Sequence, residues 1–140
     1  MLFDAKEWVI ELPGRRMNCI AFGKGERPLV MIQGLGTRGL KGTALPMALM
    51  YRAFAKDYTV WMFSRRDSLP EGFSTRDMAR DQAAAMEALG IEKAHVVGVS
   101  MGGMIAQHLA VDYPEKVGNL VLVVTSARPN PILLESLGAW

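Results

Sequence analysis

The sequence predicts an α/β protein with a mostly parallel sheet, an N-terminal antiparallel hairpin and helices on both faces of the sheet. Three observations carry this. Short apolar runs alternate with longer stretches of helical periodicity, giving the order β-β-β-α-β-α-β-α-β. The first two strand-like segments meet at Pro13-Gly14, a hairpin signal. Further on, an apolar strand runs through a glycine-flanked serine directly into a helix.

The elements follow in order. Glu7 to Leu12 and Arg16 to Phe22 form the hairpin, and Gly23 to Arg27 make a polar turn. Leu29 to Ile32 is a continuous apolar run, as expected of a strand covered on both faces. A helix is expected from Leu45 to Lys56, with Pro46 near its first turn, and then a buried strand from Tyr58 to Phe63. Ser74 and Asp77 resemble a capping box that opens a helix with Met78, Gln82, Ala85, Met86 and Leu89 on one face, ended by Gly90. Val96 to Val99 is a strand, Met101 to Val111 a helix halted before Pro114, and Leu120 to Val124 a strand. Pro129-Asn130-Pro131 is the one boundary signal, dividing a core of residues 1–128 from a segment 129–140.

Composition narrows the function classes. A chain of 140 residues makes at most one domain with a real core, and 50% apolar with 21% charged residues is globular composition. A net charge of +2 gives no reason to expect a nucleic-acid partner. The pairs Arg15-Arg16 and Arg65-Arg66 are expected in solvated turns or loops. The single cysteine, Cys19, allows no internal disulfide and reads as a buried, inert thiol. Residues Met1 to Lys6 lack the apolar core of a signal peptide, and no run approaches the ~20 residues of a spanning helix. The expectation is a cytoplasmic protein with no membrane partner, metal or cofactor. Met47, Met50 and Trp61 are expected to pack in the core.

The chemistry-bearing motif is Gly98-Val99-Ser100-Met101-Gly102. A bare Gly-x-Ser-x-Gly arises by chance about once in twenty chains of this length. Here its context is specific, because the strand ends at Val99 and the helix begins at Met101. Such a junction forms a nucleophile elbow: a tight turn that lifts the serine hydroxyl above the sheet. Gly98 and Gly102 are required where side chains would strike the crossing strand or helix. The helix aims its free N–H groups and positive dipole end at Ser100, making the Met101 N–H one candidate oxyanion donor. A second glycine-rich loop, Gln33-Gly34-Leu35-Gly36-Thr37, follows the strand Leu29 to Ile32.

With these motifs the chain resembles the α/β-hydrolase fold family, particularly its esterase, lactonase and cofactor-free haloperoxidase-like members. The resemblance rests on Gln33-Gly34-Leu35-Gly36, the helix Asp77 to Leu89 with Gly90-Ile91, the run His95 to Ala106, and Asp112-Tyr113-Pro114-Glu115-Lys116-Val117. It implies a truncated hydrolase core of about six strands, with residues 129–140 as the start of a lid or a truncated tail. It also implies Leu35 as the second oxyanion donor. Gln33-Gly34 stands where similar enzymes usually have His-Gly. Ser64-Arg65-Arg66-Asp67-Ser68 stands where Asp-x-Arg-Gly is frequent.

The family places its acid and histidine on loops after later strands. Of the two histidines here, His95 lies ~16 Å from Ser100 along a strand at ~3.3 Å per residue. His108 lies ~12 Å along a helix at ~1.5 Å per residue. A general base must come within ~3 Å of the proton it takes, so neither qualifies. His95 is read as a strand-end residue and His108 as part of a helix surface. Thr125-Ser126-Ala127-Arg128 offers no acid, and Glu135 follows later.

The expectation is therefore a serine hydrolase of a small ester or lactone whose acid and histidine lie outside this chain. A catalytically silent binding protein and a cofactor-free haloperoxidase or carbon–carbon hydrolase are the alternatives. The last strand, Leu120 to Val124, carries no charge or proline to guard its edge. Self-association or a complementing C-terminal segment is expected there.

Overall fold

The computed structural model describes residues 2–34 and 39–138. Six strands form one sheet: β1 (Lys6–Leu12), β2 (Arg15–Phe22), β3 (Arg27–Ile32), β4 (Tyr58–Phe63), β5 (Ala94–Val99) and β6 (Val117–Val123). Their spatial order is β1-β2-β4-β3-β5-β6. β1 and β2 are antiparallel, β2 meets β4 antiparallel, and β4, β3, β5 and β6 run parallel. The predicted class holds. Gly14 takes φ +72° in the β1–β2 turn, a conformation glycine adopts without a Cβ penalty.

The helices are α1 (Ala44–Met50), α2 (Thr75–Ala88), α3 (Met101–Asp112) and α4 (Pro131–Gly138). Alternation along the strands sorts side chains into two cores. Val30, Ile32, Met17, Cys19 and Val96 face α2 and α3 with Ala83, Met86, Ile105 and Leu109. Leu29, Met31, Ile20, Phe22, Val60 and Met62 face the other way with Ala48 of α1. Helices thus cover both faces. Burial pushes the Cys19 thiol up to about 12, so it stays protonated and inert, as expected.

Several expectations need correction. The helix predicted for Leu45 to Lys56 ends at Met50, and the chain tightens into a 3₁₀ turn at Arg52–Phe54. That turn swings Ala55 into the core, where its carbonyl accepts the Lys24 N–H. Met50 consequently lies 64% exposed, whereas Met47 and Trp61 pack as expected. The last two strands begin earlier than predicted, at Ala94 and Val117. The capping box of α2 forms as read: Ser74 Oγ accepts from Asp77 N, and the Asp77 carboxylate accepts from Ser74 N. Those bonds from Ser74 hold the Asp77 carboxyl below its ordinary range.

Arginines expected in solvent are largely structural. Asp81 on α2 is buried, and Arg66 grips it through two parallel bonds of 2.7 and 2.8 Å. Arg15 Nε stands 2.7 Å from the same carboxylate, off the hydrogen-bonding direction, and adds its charge. Arg66 also lies 4.4 Å over the Phe73 ring. Sequence pattern alone marks Asp81 as one more polar residue on a helix. Its burial follows from the β1–β2 hairpin and the β4–α2 loop closing over α2 from two sides. Arg16 pairs with Glu11 at the surface, in keeping with the expectation.

Among the described residues no helix is long and apolar enough to cross a membrane. The outer strand β6 is exposed along most of its length, and Leu120, Val121, Leu122 and Val123 are all 37–50% accessible.

Candidate active site

The sheet order sets the site. From β3 the chain passes to β4 on one side, then crosses to β5 on the other. In such sheets the crevice beyond the carboxyl ends of the strands at this reversal is where ligands bind. Gly34 follows β3 and Ser100 follows β5, at that crevice.

Ser100 occupies the turn between β5 and α3 with φ 55° and ψ −122°. A non-glycine residue there is strained by about 1–3 kcal/mol, so its neighbours must hold it. Three hydrogen bonds do so. The Ser100 N–H donates to the Val123 carbonyl at 2.9 Å; its own carbonyl accepts from Gly103 N at 2.9 Å and from Thr125 Oγ1 at 2.6 Å. Two of the three partners come from β6 and the residues just after it. The side chain is exposed above the sheet.

The glycines are required by contact. A Cβ on Gly102 would overlap the Ile32 carbonyl, and one on Gly98 would lie 2.6 Å from the Gly102 carbonyl. A Cβ on Gly103 would stand 2.5 Å from Thr125, the residue that pins Ser100. Gly34 comes so close to Ser100 that a Cβ on it would be 3.0 Å from Ser100 Cβ and 3.4 Å from Oγ. Met101 is the first residue of α3, where an N–H has no intrahelical acceptor. Leu35 lies outside the described residues.

The structure brings together Gly34, Gly98, Ser100, Met101 and Gly102, and it places the histidines elsewhere. His95 sits at the opposite end of β5, with Nδ1 3.0 Å from Asn119 Nδ2 and its ring edge-on to Tyr58. His108 rides on α3 near Asp112, whose carboxyl Arg76 holds below its ordinary range. Gln33, at the position usually held by histidine, donates to the sulfur of Met47 at 3.3 Å. No group of three His, Cys, Asp or Glu residues suited to a metal occurs among the described residues. A cavity of about 350 Å³ opens on the β4 side of Gly34, lined in part by Gln33, Ser64, Arg65 and Gln82. Sequence inspection missed Thr125 and Arg65. Each touches the site from a neighbouring strand end, visible only once strand order is known.

The fold and elbow define a class, and comparison supports it: the alpha/beta hydrolase fold family matches residues 27–139, and the chain belongs to it. Over 100 residues it is 38% identical to a candidate carbamate hydrolase, RutD, of Caulobacter segnis, covering 66% of this chain and 38% of that protein. Over 58 residues it is 53% identical to a candidate non-heme bromoperoxidase, BpoC, of Mycobacterium tuberculosis, covering 41% of this chain and 22% of that one. The structure of Est816, described as an N-acyl homoserine lactone degrading enzyme, superposes with a TM-score of 0.70 at 27% identity, covering 84% of this chain and 45% of that one. The chain thus spans less than half the length of these relatives.

The glycine contacts carry a prediction. Gly102→Ala must displace the backbone of β3, so it should lower stability by about 2–3 kcal/mol, as overpacking does. Gly138→Ala, with open space around it, should change stability by less than about 0.5 kcal/mol. Urea midpoints of the two variants against the parent chain check both.

Proposed function

We propose that the chain is the nucleophile-bearing part of a serine hydrolase acting on a small carboxylic ester or lactone. The observation that carries this reading is the strained, pinned and exposed Ser100 at the head of α3. Ser100 Oγ adds to the substrate carbonyl carbon while its proton passes to a histidine base. The resulting oxyanion is held by the N–H groups of Met101 and Leu35. Collapse expels the alcohol, which takes the proton back from the histidine, and leaves an acyl-serine. Water then adds with the same base, releasing the acid and restoring Ser100. For a lactone, alcohol and acid are two ends of one product.

The triad acid and histidine belong to sequence that this chain does not contain, in keeping with its covering 38% of the Caulobacter segnis relative. Residues 129–138, with α4 capped by Asn130 through Leu133 N, fit the start of a lid. The cytoplasm suits such an enzyme, and no cofactor is needed. The local identity to the bromoperoxidase favours one second reading, a cofactor-free haloperoxidase or carbon–carbon hydrolase using the same elbow. A catalytically silent binding protein is the non-enzymatic rival.

Treatment with a fluorophosphonate followed by intact-mass analysis tests the serine. We expect slow labelling at one site, because oxyanion binding alone sustains ~10³-fold catalysis over water, and its loss in Ser100→Ala. A folded chain that takes up no label, or an unchanged label in Ser100→Ala, would favour the silent binder.

The exposed β6 edge leads to a separate expectation. Its apolar, uncharged strand pairs with a second copy or with a complementing C-terminal segment. Sedimentation of the chain should show dimers or larger species, shifted to smaller ones by Val121→Lys. A parent chain that stays monomeric at high concentration would contradict it.

A further inference from the structure

Two residues other than glycine take a positive φ at neighbouring strand ends. Ser100 follows β5 with φ 55°, and Val124 follows β6 with φ 45°. The β5–β6 pairing that sets Val99 beside Val123, extended one residue, brings the two level. For a β-branched residue this conformation is an outlier that the surroundings must hold. The Val124 side chain is 82% exposed, so its own burial does not offset the strain. The residues after it do. Past the bend, Thr125 meets the first turn of α3, and its hydroxyl donates to the Ser100 carbonyl at 2.6 Å. Gln107 of α3 donates to the carbonyls of both Ser126 and Gly103, at 3.1 Å each. Ser126 Oγ in turn donates to the Arg128 carbonyl and accepts from Arg128 N. The segment after β6 is thus clipped to the head of α3.

The carbonyl that Thr125 holds belongs to the same peptide as the Met101 N–H. That peptide is planar and trans, so its carbonyl and N–H point in opposite directions. The carbonyl has two donors: Gly103 N at 2.9 Å from within the helix, and Thr125 Oγ1 from the end of β6. The first is the ordinary opening bond of a helix. The second is particular to this chain and restrains the peptide plane from another direction. We infer that Thr125 is a positioning residue for the oxyanion site, fixing the Met101 N–H through the carbonyl of the same peptide. This rests on the serine-hydrolase reading above. A second donor on the carbonyl also polarises the peptide, which makes its N–H a stronger donor.

The fit against α3 separates two parts of the threonine. A Cβ on Gly103 would lie 2.5 Å from Thr125 Cγ2 and Oγ1, so the glycine is what admits this side chain. The methyl packs there, while the hydroxyl bonds Ser100. Thr125→Val keeps the shape and loses the donor. Thr125→Ser keeps the donor and loses the methyl.

The test uses both variants in the full chain, with urea midpoints to show that each folds. The first readout is the rate of fluorophosphonate labelling at Ser100. We expect a fall of about ten-fold in Thr125→Val, short of the ~10²–10³ lost with a whole oxyanion donor, and a rate near the parent's in Thr125→Ser. The second is the ¹H–¹⁵N resonance of Met101. It should shift upfield in Thr125→Val and return in Thr125→Ser, while core amides such as Val30 and Val96 stay in place. Should valine prevent folding, Thr125→Ala replaces it and must label more slowly than Thr125→Ser. A labelled parent whose rate and Met101 amide are both unchanged without the hydroxyl overturns the assignment. So does a Thr125→Ser chain as slow as Thr125→Val, which would mark a packing role for the methyl. A folded parent with no label at Ser100 instead defeats the serine-hydrolase reading, and the positioning role with it.

Discussion

The structure depends on one strained residue being held in place. Ser100 adopts φ 55°, a conformation its own sequence disfavours, and three hydrogen bonds keep it there. The constraint spreads outward. β5 and α3 must meet without side chains at positions 98 and 102. β3 must pass so close that the Ile32 carbonyl fills the space a Cβ on Gly102 would take. Thr125 must fit against Gly103. Packing and backbone polarity thus converge on a single turn at the switch point of the sheet.

This makes β6 a strand with two duties. Its inner edge supplies the Val123 carbonyl that fixes Ser100, and its end leads to Thr125. Its outer edge and faces expose Leu120, Val121, Leu122 and Val123. Whatever covers the outer edge therefore also steadies the turn that carries Ser100. Covering β6 and holding the Ser100 backbone in its strained conformation are physically coupled. On the other side of the site, the Arg66–Asp81 pair and the Ser64–Asn18 bonds fasten the loop that carries Arg65. Breaking a buried pair of that kind costs about 3–5 kcal/mol, because the abandoned charge has no water.

Much of this was legible in the sequence where a single strand or helix decides the outcome. The continuous apolar run of β3, the Ser74–Asp77 cap and the Gly98–Gly102 junction are local patterns, and the fold follows from their order. The fate of the arginines was not legible. Arg15, Arg65 and Arg66 read as surface charges because their partners, Asp81 and the Gly34 carbonyl, lie on other elements. Thr125 drew notice only as a place lacking an acid, and its hydroxyl instead holds Ser100. Such roles depend on which strand ends lie side by side. The break of the first helix at Met50 likewise answers to Ala55 entering the core, a tertiary demand that overrides local propensity.

The most direct measurement is a crystal structure of the chain carrying a phosphonate on Ser100. The account predicts phosphorus bonded to Ser100 Oγ, with the phosphoryl oxygen about 2.7–3.1 Å from the N–H groups of Met101 and residue 35. It also predicts that Ser100 keeps its positive φ and its bonds to Val123 and Thr125. A phosphoryl oxygen turned away from both N–H groups, or a relaxed Ser100 backbone, would contradict it.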